Sequence, residues 1–198
     1  VALVAQMNEP IRVTATVKPI AVAQPEPRTV VVDFGQNLPG RVRAVIQDAP
    51  GTEVTVRYGE MLDEHGRLYT ANLRGAKQTD RIILSGRKDL FQPRFTYHGF
   101  RYVEITGLPM GTGSLGEIAA EGFHSDSPEA GTFECSSPML NRLASNIRWT
   151  QYANMMSVPT DCPQRDERLG WMGDAQIFAQ TAVFNLDMAA FFGKWARD

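Results

Sequence analysis

The sequence predicts a mainly β fold followed by α: a β-sandwich leading into helices. Three observations predict it. From Ile11 to about His124 the chain runs in short segments rich in Val, Ile and Thr. Turn signals such as Pro50-Gly51, Ser85-Gly86 and Gly111-Thr112-Gly113 separate them, and after Ser125-Asp126-Ser127-Pro128 the apolar residues recur at helical steps instead. Repeated short strands whose faces alternate suit two packed β layers.

The expected strands are Ile11 to Val17, Val30 to Phe34, Arg41 to Gln47, Glu53 to Tyr58, Arg81 to Leu84, Arg101 to Thr106 and Ile118 to Phe123. Glu53-Val54-Thr55-Val56-Arg57-Tyr58 shows the alternation most clearly. Between the second and third, Phe34-Gly35-Gln36-Asn37-Leu38-Pro39-Gly40 lacks the glycine order and the lysine of a phosphate-binding loop, so it reads as a sandwich turn. The aromatic run Phe95 to Tyr102 reads as packing rather than a sugar platform, because alternation sends Tyr97, Gly99 and Arg101 to one face and His98, Phe100 and Tyr102 to the other. Pro25-Glu26-Pro27 is a stiff break. Residues 1-24 are therefore expected to be an entry segment and linker from a preceding region, 25-125 the sandwich, 126-137 a linker and 138-198 the helices.

The first helix starts with Ser137 as N-cap and Pro138 at the first helical position, both suited to an end whose N–H groups lack intrahelical acceptors. Met139, Leu140, Leu143, Ile147 and Tyr152 then give it an apolar face to about Met156. A second helix is expected from near Arg168 to Phe184 and a third from Asp187 to the end. Trp149, Phe178, Phe184, Phe191, Phe192 and Trp195 are more apolar surface than three helices bury by themselves. Further helices or a partner chain are expected to cover that face.

Composition narrows the partners. With 20 basic and 22 acidic side chains the formal net charge is -2, which gives no electrostatic footprint for nucleic acid or an anionic membrane. No apolar run approaches the roughly 20 residues that span a bilayer. The opening Val-Ala-Leu-Val-Ala-Gln-Met-Asn-Glu-Pro has no basic n-region and no adequate apolar core, so it is not read as a signal peptide and looks like a cut inside a longer protein. A soluble chain is expected, with its compartment, cytoplasmic or exported, left open. Cys135 and Cys162 are too few for a disulfide framework and are read as thiols, while His65, His98 and His124 stand apart from one another. Neither a metal site nor a cofactor is expected.

The chemistry concentrates in Asp161-Cys162-Pro163-Gln164-Arg165-Asp166-Glu167-Arg168-Leu169-Gly170-Trp171-Met172-Gly173-Asp174. Cleaving a glycoside needs an acid to protonate the leaving oxygen, carboxylates to hold hydroxyls and an aromatic face for the ring. On a helix Glu167, Trp171 and Asp174 would fall within about 40° of one another around the axis. Gly170 and Gly173, each costing up to about 1 kcal/mol in a helix relative to Ala, suggest close approach of a ligand or another part of the chain. The same residues also suit a plainer role, with acids at a helix start, arginines in surface ion pairs and a core tryptophan.

Val158 to Asp174 closely resembles the signature of bacterial α-L-rhamnosidases of glycoside hydrolase family 78. Asp33-Phe34-Gly35-Gln36-Asn37 with Gly40, Tyr58-Gly59-Glu60, Asn72-Leu73-Arg74, Thr79-Asp80, Tyr97-His98-Gly99-Phe100-Arg101-Tyr102-Val103-Glu104 and Phe133-Glu134-Cys135-Ser136 look like further landmarks in family order. The resemblance implies that the helices are the first of an incomplete (α/α)6 barrel, the family's catalytic domain. It implies inverting hydrolysis of terminal α-L-rhamnose from a glycoside or polysaccharide, with Glu167 as general acid and Asp161, Arg165, Trp171 and Asp174 holding the sugar. The family's general base is a downstream Glu, so the isolated chain is expected to be inactive. The alternative is a non-catalytic carbohydrate-binding or structural β-sandwich module.

Overall fold

A computed structural model describes residues 3–198, which divide into two compact units. One comprises Ala15–Gly122 together with the short segment Pro163–Asp166. The other comprises the described residues up to Thr14, then Phe123–Cys162 and Glu167–Asp198.

The β-rich part is a β-sandwich. Its strands are β1 Ile11–Val17, β2 Ala21–Glu26, β3 Thr29–Ile46, β4 Glu53–Gly59, β5 Met61–Leu62, β6 Leu68–Tyr69, β7 Thr79–Ile83, β8 Asp89–Phe91, β9 His98–Thr106 and β10 Leu115–Ser125. Eight of them form one sheet in the order β1-β10-β3-β9-β4-β7, antiparallel from β10 to β7, with β2 and β8 also paired antiparallel to β3, while β5 and β6 form a hairpin of their own.

The long strand β3 organises the sheet by changing neighbours along its length. Thr29 to Asp33 lies between β2 and β9, and Ala44 to Ile46 lies between β10 and β8. The two strands expected at Val30 to Phe34 and Arg41 to Gln47 are thus one, and the expected turn is a distortion inside it, where the register against β9 shifts between Asp33 and Leu38. Gly35 takes φ +71° there. Asp33 fixes the bend: its Oδ1 accepts from the Gly35 amide at 2.6 Å and from Arg101 Nε at 2.8 Å, and its Oδ2 accepts from Arg101 Nη2 at 2.8 Å. The Arg101 hydrogen bonds outweigh burial and hold the Asp33 carboxyl below the usual carboxylate range. At Gly40 a Cβ would collide with the Glu121 carbonyl of β10, so only glycine lets these strands close.

The β2 strand, absent from the sequence expectation, contains Pro25. The register with β3 slips between Ala23 and Glu26, so the missing proline N–H interrupts no regular ladder. Inside the sandwich Val30, Val32, Phe34, Val42, Ile46, Val54, Val56, Tyr58, Phe100, Val103 and Ile105 are buried, with the Phe100 ring edge-on to Phe34 at 5.9 Å and to Tyr58 at 5.0 Å.

One charge sits in this interior. Glu104 on β9 is 0 % exposed; its Oε2 accepts from Arg67 Nε at 2.7 Å and from the Leu68 amide at 3.3 Å, and its Oε1 accepts from Arg57 Nη1 at 3.2 Å. Arg67 also meets Glu26 at 2.6 Å. The cluster fastens the β5–β6 hairpin to the sheet, because Arg67 and Leu68 belong to that hairpin.

In the other unit the helices are α1 Pro138–Ala153, α2 Met172–Asn185 and α3 Ala189–Trp195. Ser137 precedes Pro138 in extended conformation, as the sequence suggested, though its hydroxyl makes no capping bond. A core of Met155, Ala182, Leu186, Met188 and Phe191 gathers Tyr152, Phe178 and Phe192 around it. Gln151 is the buried polar member; its side chain accepts from Asn185 at 2.9 Å and donates to the Ala182 carbonyl at 3.2 Å, tying α1 to α2. No helix among the described residues is long and apolar enough to cross a membrane.

His124 lies at the C-terminal end of α1, its ring stacked on Tyr152 at 4.1 Å and 3°, with Nδ1 donating to the Ser125 carbonyl at 2.8 Å. Burial pushes its pKa below 6.5, against the pull of the Ser125 carbonyl and Asp126. A histidine held neutral in the fold contributes stability that is present above pH 6.5 and is lost as pH falls through the lower folded value. The thermal midpoint of this unit is expected to drop as pH is lowered just below 6.5, and His124→Phe, which keeps the stack, is expected to flatten that slope. Melting curves of both proteins across that range check it; an unchanged slope counts against the assignment.

Candidate functional site

The segment that carries the chemistry begins in a tightly turned loop. After α1 the chain reverses at Ser157, φ +64°, with Met155 and Pro159 bridged and the Thr160 amide donating to the Asn154 carbonyl at 3.0 Å. The Ser125 hydroxyl accepts from the Ser157 amide at 3.0 Å, and the Ser125 amide donates to the Met155 carbonyl at 2.8 Å. These bonds deliver Asp161 to a fixed place.

The second helix starts later than the sequence suggested. It begins at Met172, and Trp171 occupies the N-cap position in extended conformation, its amide donating to the Pro159 carbonyl at 3.0 Å. Glu167 and Trp171 therefore lie ahead of the helix, and the shared helical face expected for Glu167, Trp171 and Asp174 does not form. Just ahead of the helix, a Cβ on Gly170 would overlap the Trp195 ring. The close approach expected at Gly170 is thus made by a side chain from α3, whereas Gly173 has open space around it.

What the loop does bring together is Asp161 and Glu167. One carboxylate oxygen of each, with the Cys162 sulfur, lies within 4.8 Å of the others. The Cys162 thiol donates to Asp161 Oδ1 at 3.0 Å and approaches the Glu167 carbonyl at 3.8 Å, so it braces both sides of the loop. That role was not legible in the spacing, which gave Cys162 no partner. No disulfide joins Cys162 to Cys135.

Asp161 and Asp174 also face one cavity of about 410 Å³, a size typical of small-molecule sites. Thr150 and Asn154 of α1 and its C-terminus add polar groups there, and Phe178 and Phe192 supply apolar wall. Asp174 lies in the first turn of α2, where a carboxylate also opposes the helix dipole. Trp171 is 39 % exposed, which fits an aromatic plate better than a core residue. Arg165 belongs to the Pro163–Asp166 segment, which groups with the sandwich.

Comparison with known proteins bears on this arrangement. Residues 23–124 match the bacterial α-L-rhamnosidase concanavalin-like domain, and residues 128–198 match the bacterial α-L-rhamnosidase six-hairpin glycosidase domain. The chain belongs to the bacterial α-L-rhamnosidase family. An α-L-rhamnosidase of Streptomyces avermitilis is 45% identical over 197 residues, which is 99% of this chain and 19% of that protein. The crystal structure of the Streptomyces avermitilis α-L-rhamnosidase complexed with L-rhamnose matches with a TM-score of 0.93, 45% identity, 99% of this chain and 19% of that one. The structure of an α-L-rhamnosidase from Dictyoglumus thermophilum, also at a TM-score of 0.93, is 46% identical and covers 98% of this chain and 22% of that one. The chain thus spans about a fifth of the length of these α-L-rhamnosidases.

Proposed function

We propose that this chain carries the proton-donating half of an inverting α-L-rhamnosidase site, acting on terminal α-L-rhamnose of glycosides or polysaccharides. The observation that carries the reading is the convergence of Asp161 and Glu167 in one braced loop, next to an exposed Trp171 and a cavity shared by Asp161 and Asp174. Glu167 is the general acid that protonates the glycosidic oxygen as the bond to rhamnose breaks. Asp161 and Asp174 accept hydrogen bonds from sugar hydroxyls, Arg165 donates to them, and Trp171 packs on the C–H face of the ring. The L-rhamnose bound by the Streptomyces relative supports the sugar named.

Inversion needs a second carboxylate that activates water from the far side of the ring, roughly 6.5–9.5 Å from the acid. On this reading that base lies in further barrel helices, and those helices, or a partner chain, cover apolar side chains such as Met139, Leu143 and Phe184 that are exposed on α1 and α2. The proposed domain limits are 25-125 for the sandwich, with 126-137 as linker and 138-198 as the first helices of an (α/α)6 barrel.

Titration of the chain with L-rhamnose, followed by tryptophan fluorescence, tests the site. A saturable response that Trp171→Ala removes is expected; a response that survives this change comes from Trp149 or Trp195 and takes Trp171 out of the sugar site. The chain by itself is expected to release no rhamnose from an aryl rhamnoside, and release that Glu167→Gln abolishes would contradict the missing base.

A further inference from the structure

The sandwich unit contains a buried polar relay that ends on the loop bearing Arg165. Gln78, 3 % exposed, lies just ahead of β7. Its amide nitrogen donates to the Pro163 carbonyl at 3.3 Å and to the Gln164 carbonyl. Two acceptors on that side fix the amide's orientation, so its oxygen faces His98 Nδ1, which must carry the proton of that bond. His98, itself 2 % exposed, is stacked on Tyr58 at 3.8 Å and 16°, and its Nε2 lies 2.9 Å from Asp80 Oδ2. The same oxygen accepts from the Tyr58 hydroxyl at 2.8 Å, and the Gln78 carbonyl accepts from the Tyr58 amide at 3.0 Å.

A second observation is steric. Gly99 on β9 lies directly under the same peptides: a Cβ there would sit 2.5 Å from Pro163 Cγ and 2.9 Å from the Gln164 nitrogen. Any larger residue lifts the segment off the sheet. The Pro163 and Gln164 peptides are thus held from one side by a buried donor and admitted on the other by a missing side chain, and Arg165 is the next residue.

We infer that Gln78 is a positioning residue: braced by His98, Asp80 and Tyr58, it fixes the Pro163–Gln164 peptides and so presents Arg165 in one orientation to the sugar. The sugar part rests on the proposed function; the anchoring does not. A structural requirement of the sheet would by itself have been met by an apolar residue, whereas two main-chain carbonyls facing a protein interior require a donor.

Trypsin cleavage after Arg165, read by mass spectrometry on the 198-residue chain, reports the anchoring directly. Gln78→Leu removes the donor and Gly99→Ala displaces the loop with the relay intact. In both, cleavage after Arg165 is expected to accelerate about tenfold, as the loss of one or two buried hydrogen bonds implies. Cleavage after Arg81 in β7 should stay as in the unsubstituted chain, and the affinity for L-rhamnose should fall about fivefold as the competent orientation becomes a minority. Unchanged cleavage after Arg165, or an equal rise at Arg81 that signals general loosening, overturns the anchoring. Faster cleavage with unchanged rhamnose affinity overturns the positioning role. An unsubstituted chain that ignores rhamnose counts against the proposed function, and the cleavage comparison still decides the anchoring.

Discussion

Glu167→Gln is expected to lower hydrolysis of an unactivated rhamnoside by about two to four orders of magnitude, the usual share of a general acid in such a reaction. The measurement needs a complete barrel, which a chimera supplies by replacing the matching 197 residues of the Streptomyces α-L-rhamnosidase with this chain. Glutamine keeps the shape and hydrogen-bonding reach of the side chain but cannot give up a proton to the leaving oxygen. The loss should therefore depend on the leaving group. A nitrophenyl rhamnoside, whose phenolate departs without protonation, should lose much less than a sugar or alkyl rhamnoside, with KM little changed because the binding groups remain. Equal losses for both substrates would assign Glu167 to binding or to the fold instead.

The largest stability effect is expected at Glu104. Replacing it by alanine takes the buried acceptor from Arg57, Arg67 and the Leu68 amide; breaking a buried pair typically costs about 3–5 kcal/mol, and the low end is expected because the two arginines are 35 % and 28 % exposed. Burial alone would raise the pKa of this carboxyl; the Arg67 and Leu68 hydrogen bonds and the charges of Arg67 and Arg57 more than reverse that and hold it below 4.5. A carboxylate with a lowered pKa contributes stability that is present above 4.5 and is lost as pH falls through the folded value. Urea unfolding of the sandwich should thus show a large drop in midpoint for Glu104→Ala at neutral pH, and a smaller difference between the two proteins in strong acid. A midpoint that stays put would mean that the β5–β6 hairpin, not the sheet, absorbs the change.

How legible the chain was depends on how local the signal is. The start of α1 was readable because Ser137 and Pro138 act within one turn of the backbone. The start of α2 was not, since the extended backbone at Trp171 is held by its amide bond to the Pro159 carbonyl, a pairing twelve residues apart that no local pattern encodes. Alternation exposed β4 and β9, yet β2 escaped because Ala, Gln and Pro give it little strand propensity and its order comes from pairing with β3. The Gly-rich stretch in β3 looked like a turn because a bend and a turn require the same residues.

The candidate site divides in the same way. Residue types and their order pointed to Asp161, Arg165, Glu167, Trp171 and Asp174 through a family resemblance, and the matched rhamnosidase domains agree with that family. The grouping of Asp161 with Glu167 through Cys162, and the membership of Arg165 in a different unit, depend on loop geometry that no periodicity encodes.

That membership sets a limit on how this architecture can be rearranged. Because Pro163–Asp166 folds with a sandwich whose remaining residues end at Gly122, no single junction separates the chain into two complete pieces. A recombination point placed after residue 125 yields a sandwich whose Gln78 has lost the carbonyls it serves, and helices whose central loop has lost its anchor. Sandwiches and helical domains of this kind are therefore expected to be inherited, and to be exchangeable in the laboratory, as one block.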